Sequence, residues 1–186
     1  MSYDANNAYP AGPGAAGPGA MGPGAQIRGA ASPEDLSLPL YGASFGQAVK
    51  RFFKKYTHFS GRASRSEFWF AMLGLFLIQL IPSILAGIGG GMAAATSVGS
   101  VDPATGMVTS EPSAGAAALI GIGSILGLLI WLAVIVPLLA IVWRRLHDGN
   151  FAGPFFFLYF IPGVGQIILL VLTLLPSKPE GQRFDV

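Results

Sequence analysis

The chain has 186 residues, 52% of them hydrophobic and only 11% charged, with a formal net charge of +2. Ordinary soluble domains carry roughly a quarter charged residues, so this composition excludes a water-exposed surface of the usual kind and calls for an apolar solvent. Cysteine is absent, which excludes disulfides, thiolate metal sites and cysteine nucleophiles together.

The first forty residues lack the apolar h-region of a signal peptide. They are dominated by Gly, Pro and Ala, as in AYPAGPGAAGPGAMGPGA. Such a segment has no large side chains to bury against the entropy of ordering. Residues 1–42 are therefore expected to form a disordered cytoplasmic tail, and residues 43–186 a membrane domain.

A helical pattern follows over 44–58. Phe45, Val49, Phe52, Phe53 and Tyr56 fall on one side, and Lys50, Arg51, Lys54 and Lys55 on the other. A basic face opposite an aromatic face suits a helix lying in the plane of an anionic leaflet. The four basic residues are expected to meet anionic lipids, each contributing about 1 kcal/mol of attraction. Nucleic acid is not an expected partner, because it would leave the aromatic face in water. Ser64 and Glu67 then have capping-box spacing at the point where a helix must begin, and Trp69 stands in an aromatic belt with Phe68 and Phe70.

Three apolar segments come next, at about 68–88, 116–143 and 154–175, none holding an ionisable residue. Each reaches the ~20 residues that cross a ~30 Å hydrocarbon core. The expected fold is all-α, an integral membrane protein of three transmembrane helices behind the in-plane helix. Pro162-Gly163, inside the third segment, leaves a re-entrant hairpin as the alternative there. Six Lys and Arg lie between Ser44 and Glu67, none between Gly89 and Ser113, and Arg144 and Arg145 follow the second segment. By the positive-inside rule the N-terminus is cytoplasmic. Three full crossings would put Lys178 and Arg183 outside, against that rule; a re-entrant hairpin would keep them inside.

Two stretches, FSGRASRSEFW at 59–69 and RRLHD at 144–148, precede an aromatic segment with Pro-Gly and a closing PEGQRFDV. Together they resemble the bacterial domain of unknown function family 805, small inner-membrane proteins, over about residues 43–186. The resemblance implies a location and a fold, and no activity to carry over. One departure is that Gly149, Asn150 and phenylalanines stand where the family usually has Thr, Gly and a Trp-rich start.

Chemistry is sparse. His147 and Asp148 point about 100° apart on a helix, so they cannot form an oriented His–carboxylate pair. Two histidines and scattered acids make a poor zinc set, and neither metal nor cofactor is expected. The candidate interface and topology residues are Arg62, Arg65, Glu67, Trp69, Arg144, Arg145, His147 and Asp148. Glu67, at the depth of Arg144 and Arg145, is expected to pair with one of them and clamp the first span to the second. Gly149 is placed for a left-handed helix cap, and the Gly123-x-x-x-Gly127 spacing permits close helix packing or dimerisation. The expected function is a non-enzymatic structural or interaction component of a bacterial cell membrane, acting with a protein partner or as a homo-oligomer. The alternative is a small oligomeric channel or transporter, although no ionisable residue lies at midplane depth.

Overall fold

The computed structural model of the chain describes residues 26–96, 99–109 and 111–185. The expected tail lies outside them up to residue 25. Residues 26–42 are a packed strap and not a loose lead. Ala30 N donates to Pro39 O at 2.8 Å, and Leu40 and Ala43 are buried against Ala48. Leu38, Pro39 and Leu40 supply the apolar contact that the Gly/Pro repeat before them lacks.

Helix α1 spans Phe45–Lys54, and its start is set by a complete capping box between Ser44 and Gln47. Helix α2 spans Arg65–Thr96 and helix α3 spans Ala114–Asp148. At 1.5 Å per residue these two are about 48 and 52 Å long, well beyond a ~30 Å core. Only 11% and 28% of their most apolar stretches are buried inside the molecule. A core helix of a soluble protein would be mostly enclosed, so this apolar surface needs lipid around it. The connection between α2 and α3 carries a two-residue antiparallel ladder, β1 (Ser100–Val101) with β2 (Val108–Thr109), closed by Asp102 accepting from Ala104 N and Thr105 Oγ1. Otherwise the described residues are helical or irregular.

Helices α2 and α3 meet where small residues allow it. A Cβ on Gly123 would lie 2.7 Å from Pro82 O and from Ala86 N, both backbone atoms that cannot swing aside. Gly127 faces Gln79 and Pro82 in the same seam. The Gly-x-x-x-Gly spacing thus serves close packing within the chain. Gly123→Leu is expected to force the helices apart and cost about 1–3 kcal/mol, read as a fall in Tm in detergent. Gly121→Leu, whose Cβ meets open space, should change little; equal losses for the two would mean that the seam is not tight.

The third apolar segment is not one continuous helix. It runs as a 3₁₀ helix, η1 (Gly153–Phe160), turns at Pro162-Gly163 with Gly163 at φ +75°, and returns as α4 (Val164–Leu174). Each arm is about 16 Å long, half of what a crossing needs. Beyond it, Lys178 N donates to Asp148 O at 2.9 Å and Gly61 N to Phe184 O at 2.8 Å, so the chain comes back to the end of α3 that it left. In place of the expected third transmembrane helix the structure has two short arms around a turn, beside two long helices. The reason is local: Pro162 removes a backbone donor and Gly163 takes a left-handed conformation at little steric cost.

Candidate functional site: a buried polar knot

Arg144 to Asp148 form the last turn of α3 and not a loop. The turn proper follows, and Asn150, at φ +68°, takes the left-handed position that had been assigned to Gly149, whose own φ is −83°. Asn150 N donates to His147 O and Phe151 N to Leu146 O, both at 2.9 Å. That is the bonding pattern of a Schellman motif with Asn at the left-handed site, and Leu146 and Phe151 belong to one apolar cluster beneath it.

Because the motif is helical, its side chains radiate, and four chain segments converge on them. Asp148, fully buried, is the hub. Its Oδ1 accepts from Tyr41 Oη at 2.9 Å and Arg62 Nη1 at 3.5 Å, and its Oδ2 from Arg145 Nη1 and Ser177 Oγ. Arg145 also donates to the carbonyls of Thr173, at 2.9 Å, and Leu175, which ties down the exit of α4. Arg62 forks onto Asp185 at 2.9 and 2.8 Å and donates to Arg28 O at 2.8 Å. Burial works against the Arg62 charge, but its bonds to Asp185 and the nearby acids hold the guanidinium pKa above its usual value. Burial, aided by the Asp148 charge, pushes the Tyr41 hydroxyl up. His147 donates from Nδ1 to Gly61 O at 3.0 Å, and its ring stacks on Phe184 at 3.9 Å and 5°. Both members of the His147–Asp148 pair therefore have structural partners, and different ones.

A second cluster lies where α1 crosses the start of α2. Glu67 pairs with Arg51, Nε to Oε1 at 2.5 Å, both buried. Its Oε2 accepts from Ser64 N at 3.0 Å, while Glu67 N donates to Ser64 Oγ at 3.2 Å, which completes the capping box. Arg51 also donates to the strap, at Pro33 O, Asp35 O and Leu38 O. Two expectations are corrected here. Glu67 forms no ion pair with Arg144 or Arg145, because equal depth does not fix azimuth and Arg51 of α1 takes its carboxylate. Nor is the basic face of α1 uniformly lipid-facing. Ala48, Arg51, Phe52 and Lys55 form the buried stripe, Lys50 and Lys54 stay exposed, and Phe45 and Phe53 point outward.

Arg144 contributes little to the knot through its side chain, donating from Nε to Ala140 O at 3.2 Å. Its backbone carbonyl accepts from Ala63 N at 3.0 Å. Arg65 is exposed and enters no ion pair among the described residues. Trp69, edge-on to Phe68, lines an open cleft of about 410 Å³ with Met72, Tyr159 and Gln166. No metal-binding cluster of His, Asp or Glu occurs among the described residues. Sequence reasoning missed Tyr41, Ser177 and Asp185. Asp185 lies in the closing PEGQRFDV that the resemblance had marked, whereas nothing local distinguishes Tyr41.

Lys55 has a measurable consequence. It is buried, and burial together with the charge of Arg144 pushes its ammonium down to about 8. Unfolded, it titrates near 10.4. Between these values the unfolded chain binds more protons, so stability rises with pH from about 8 to about 10.5. The expected gain is at least a few degrees in Tm. Lys55→Met should flatten that rise; an unchanged slope would show that Lys55 is not the source.

Helical, sheathed in apolar surface and closed at one end by a buried polar knot, the molecule is a membrane protein of the inner-membrane type. Residues 56–186 match the family model described as Protein of unknown function (DUF805), and the chain belongs to that family. Over 131 residues it is 30% identical to inner membrane protein YhaI of Escherichia coli strain K12, a stretch covering 70% of this chain and 86% of that protein. Inner membrane protein YhaH of the same strain is 27% identical over 131 residues, 87% of its length. No solved structure matches the chain.

Proposed function

We propose that the chain is a multi-pass, non-enzymatic structural or interaction component of the bacterial inner membrane, with the strap, the polar knot and the C-terminal segment on the cytoplasmic side. The observation that carries the non-enzymatic reading is the state of the motif residues. The charged groups of Arg62, Arg145 and Asp148 are engaged with one another and with backbone carbonyls, and the imidazole of His147 is bonded and stacked. A catalytic set needs a group free to meet substrate, and a coupled carrier needs ionisable residues at depth.

The orientation rests on charge. With the hairpin folded back, all eleven Lys and Arg gather at one end, Arg28 through Arg62, and Lys178 and Arg183 beside Asp148 and Asn150. The positive-inside rule then has no exception. A C-terminal green fluorescent protein fusion is expected to fluoresce, and a cysteine at Thr105 to react with a membrane-impermeant thiol reagent in intact spheroplasts. A dark fusion with an active C-terminal alkaline phosphatase would reverse the assignment.

For the role itself, cross-linking in native membranes followed by isolation in mild detergent is expected to recover a different membrane protein bound in constant proportion. The exposed Lys50 and Lys54 favour anionic lipid beneath it. A homo-oligomer that passes solute in liposomes would overturn the structural reading in favour of a channel.

A further inference from the structure

Arg144 is 2% exposed and Lys55 is 4% exposed. Both stand at the junction of α1 with the cytoplasmic end of α3, and the Arg144 charge acts on Lys55. The acid within reach is already occupied, since Glu67 holds Arg51 through Oε1 and the Ser64 amide through Oε2. Three buried cations, Arg51, Lys55 and Arg144, thus meet one buried carboxylate. Asp35, the other acid near Lys55, lies at the surface with its carboxylate bonded to Ser37. Moreover, Nη2 of Arg144 is buried with no hydrogen-bond partner among the described residues. A buried guanidinium with one nitrogen left unbonded and no carboxylate of its own is costly in a low-dielectric setting, and a native fold retains such a group where it has a use.

We infer that Arg144 and Lys55 form a binding site for a phosphate oxyanion, presented by the headgroup of an anionic phospholipid or as free phosphate. A guanidinium offers a directed N–H and an ammonium a compact charge, a pairing suited to adjacent oxygens of one phosphate. The site is built and not incidental. Tyr56 Oη donates to Ala133 O at 2.6 Å, and Phe59 packs edge-on against Trp143. These contacts pin the segment after Lys55 to α3, so the lysine cannot simply swing into water. Exposed Lys50 and Lys54 raise the local anion concentration outside, and outward-facing Phe45 and Phe53 set α1 at headgroup level. An anion on Lys55 would also oppose the lowering of its pKa by burial and by Arg144.

The lipid form rests on the membrane placement of α1, whereas the free-phosphate form does not. The test uses the full chain in a neutral detergent, titrated with phosphatidylglycerol, phosphatidylcholine or inorganic phosphate, with binding followed by native mass spectrometry and Tm. Phosphatidylglycerol is expected to bind at least tenfold more tightly than phosphatidylcholine and to flatten the rise in stability between pH 8 and 10.5. Arg144→Gln and Lys55→Gln should each weaken binding about tenfold or more, and the Lys50→Gln/Lys54→Gln double variant less than threefold. Should Arg144→Gln fail to fold, Lys55→Gln carries the comparison. Saturable binding of inorganic phosphate that depends on the same two residues identifies the free anion as the ligand. Equal weakening by the Lys50/Lys54 variant, or binding indifferent to Arg144 and Lys55, overturns the site.

Discussion

Asp148→Ala is expected to cost 3–5 kcal/mol, roughly the figure for removing one partner of a buried ion pair. The carboxylate is fully buried and accepts from Tyr41, Arg62, Arg145 and Ser177. Its loss leaves the Arg145 charge without its counter-ion and weakens the hold on Arg62, which keeps Asp185. The damage should reach three places at once: the strap through Tyr41, the entry to α2 through Arg62, and the exit of α4 through Arg145 and Ser177. The measurements are protein level in membranes and Tm in detergent, together with protease cleavage of the strap and C-terminal segment. Asp148→Asn should lose less, since it keeps an acceptor while shedding the charge. If Asp148→Ala falls no further than an exposed substitution such as Lys54→Ala, the hub has no energetic weight.

Glu67→Ala is expected to be nearly as severe, at about 3 kcal/mol or more, because it strands Arg51 in a buried site and unmakes the α2 cap. Arg51→Met alone should be comparably destabilising. The double variant Arg51→Met/Glu67→Met should recover much of the loss, since an apolar pair of similar volume often replaces a buried ion pair at little cost. A double-mutant cycle in Tm or denaturant would then give a coupling on the order of 1–3 kcal/mol. Exchanging Glu67 with Arg144 or Arg145 offers no such recovery, because neither arginine forms an ion pair with Glu67. Recovery by Glu67→Arg/Arg144→Glu, without coupling to Arg51, would instead reinstate a direct tie between α2 and α3.

The residues differ in how far they could be read from the chain alone. Ser64 and Glu67 were legible as a cap because a capping box is a three-residue relation, and both of its bonds are present. The partner of Glu67 was not legible. Arg144 and Arg51 are both basic and both near its depth, and the choice depends on which helix packs over that side of α2. Likewise Arg51 and Lys55 belong to a basic stripe in one dimension, yet α1 turns that edge inward while Lys50 and Lys54 remain outside. His147 and Asp148 offered no chemistry as neighbours because, apart from Arg145, partners such as Gly61, Tyr41 and Ser177 are 86, 107 and 29 residues away.

Long-range order divides the same way. Uncharged runs and the placement of Lys and Arg were enough to define apolar helices, a membrane setting and a positively charged end, because partition into lipid is close to additive along a segment. Pro162-Gly163 marked a place where the third segment could turn, but hydropathy is blind to direction, and a hairpin and a crossing bury the same side chains in lipid. Closure of the hairpin was decided by contacts at its two ends, where Arg145 takes the Thr173 and Leu175 carbonyls and Asp148 O receives Lys178 N. Those bonds exist only when α3, the strap and the C-terminal segment are already assembled around one another.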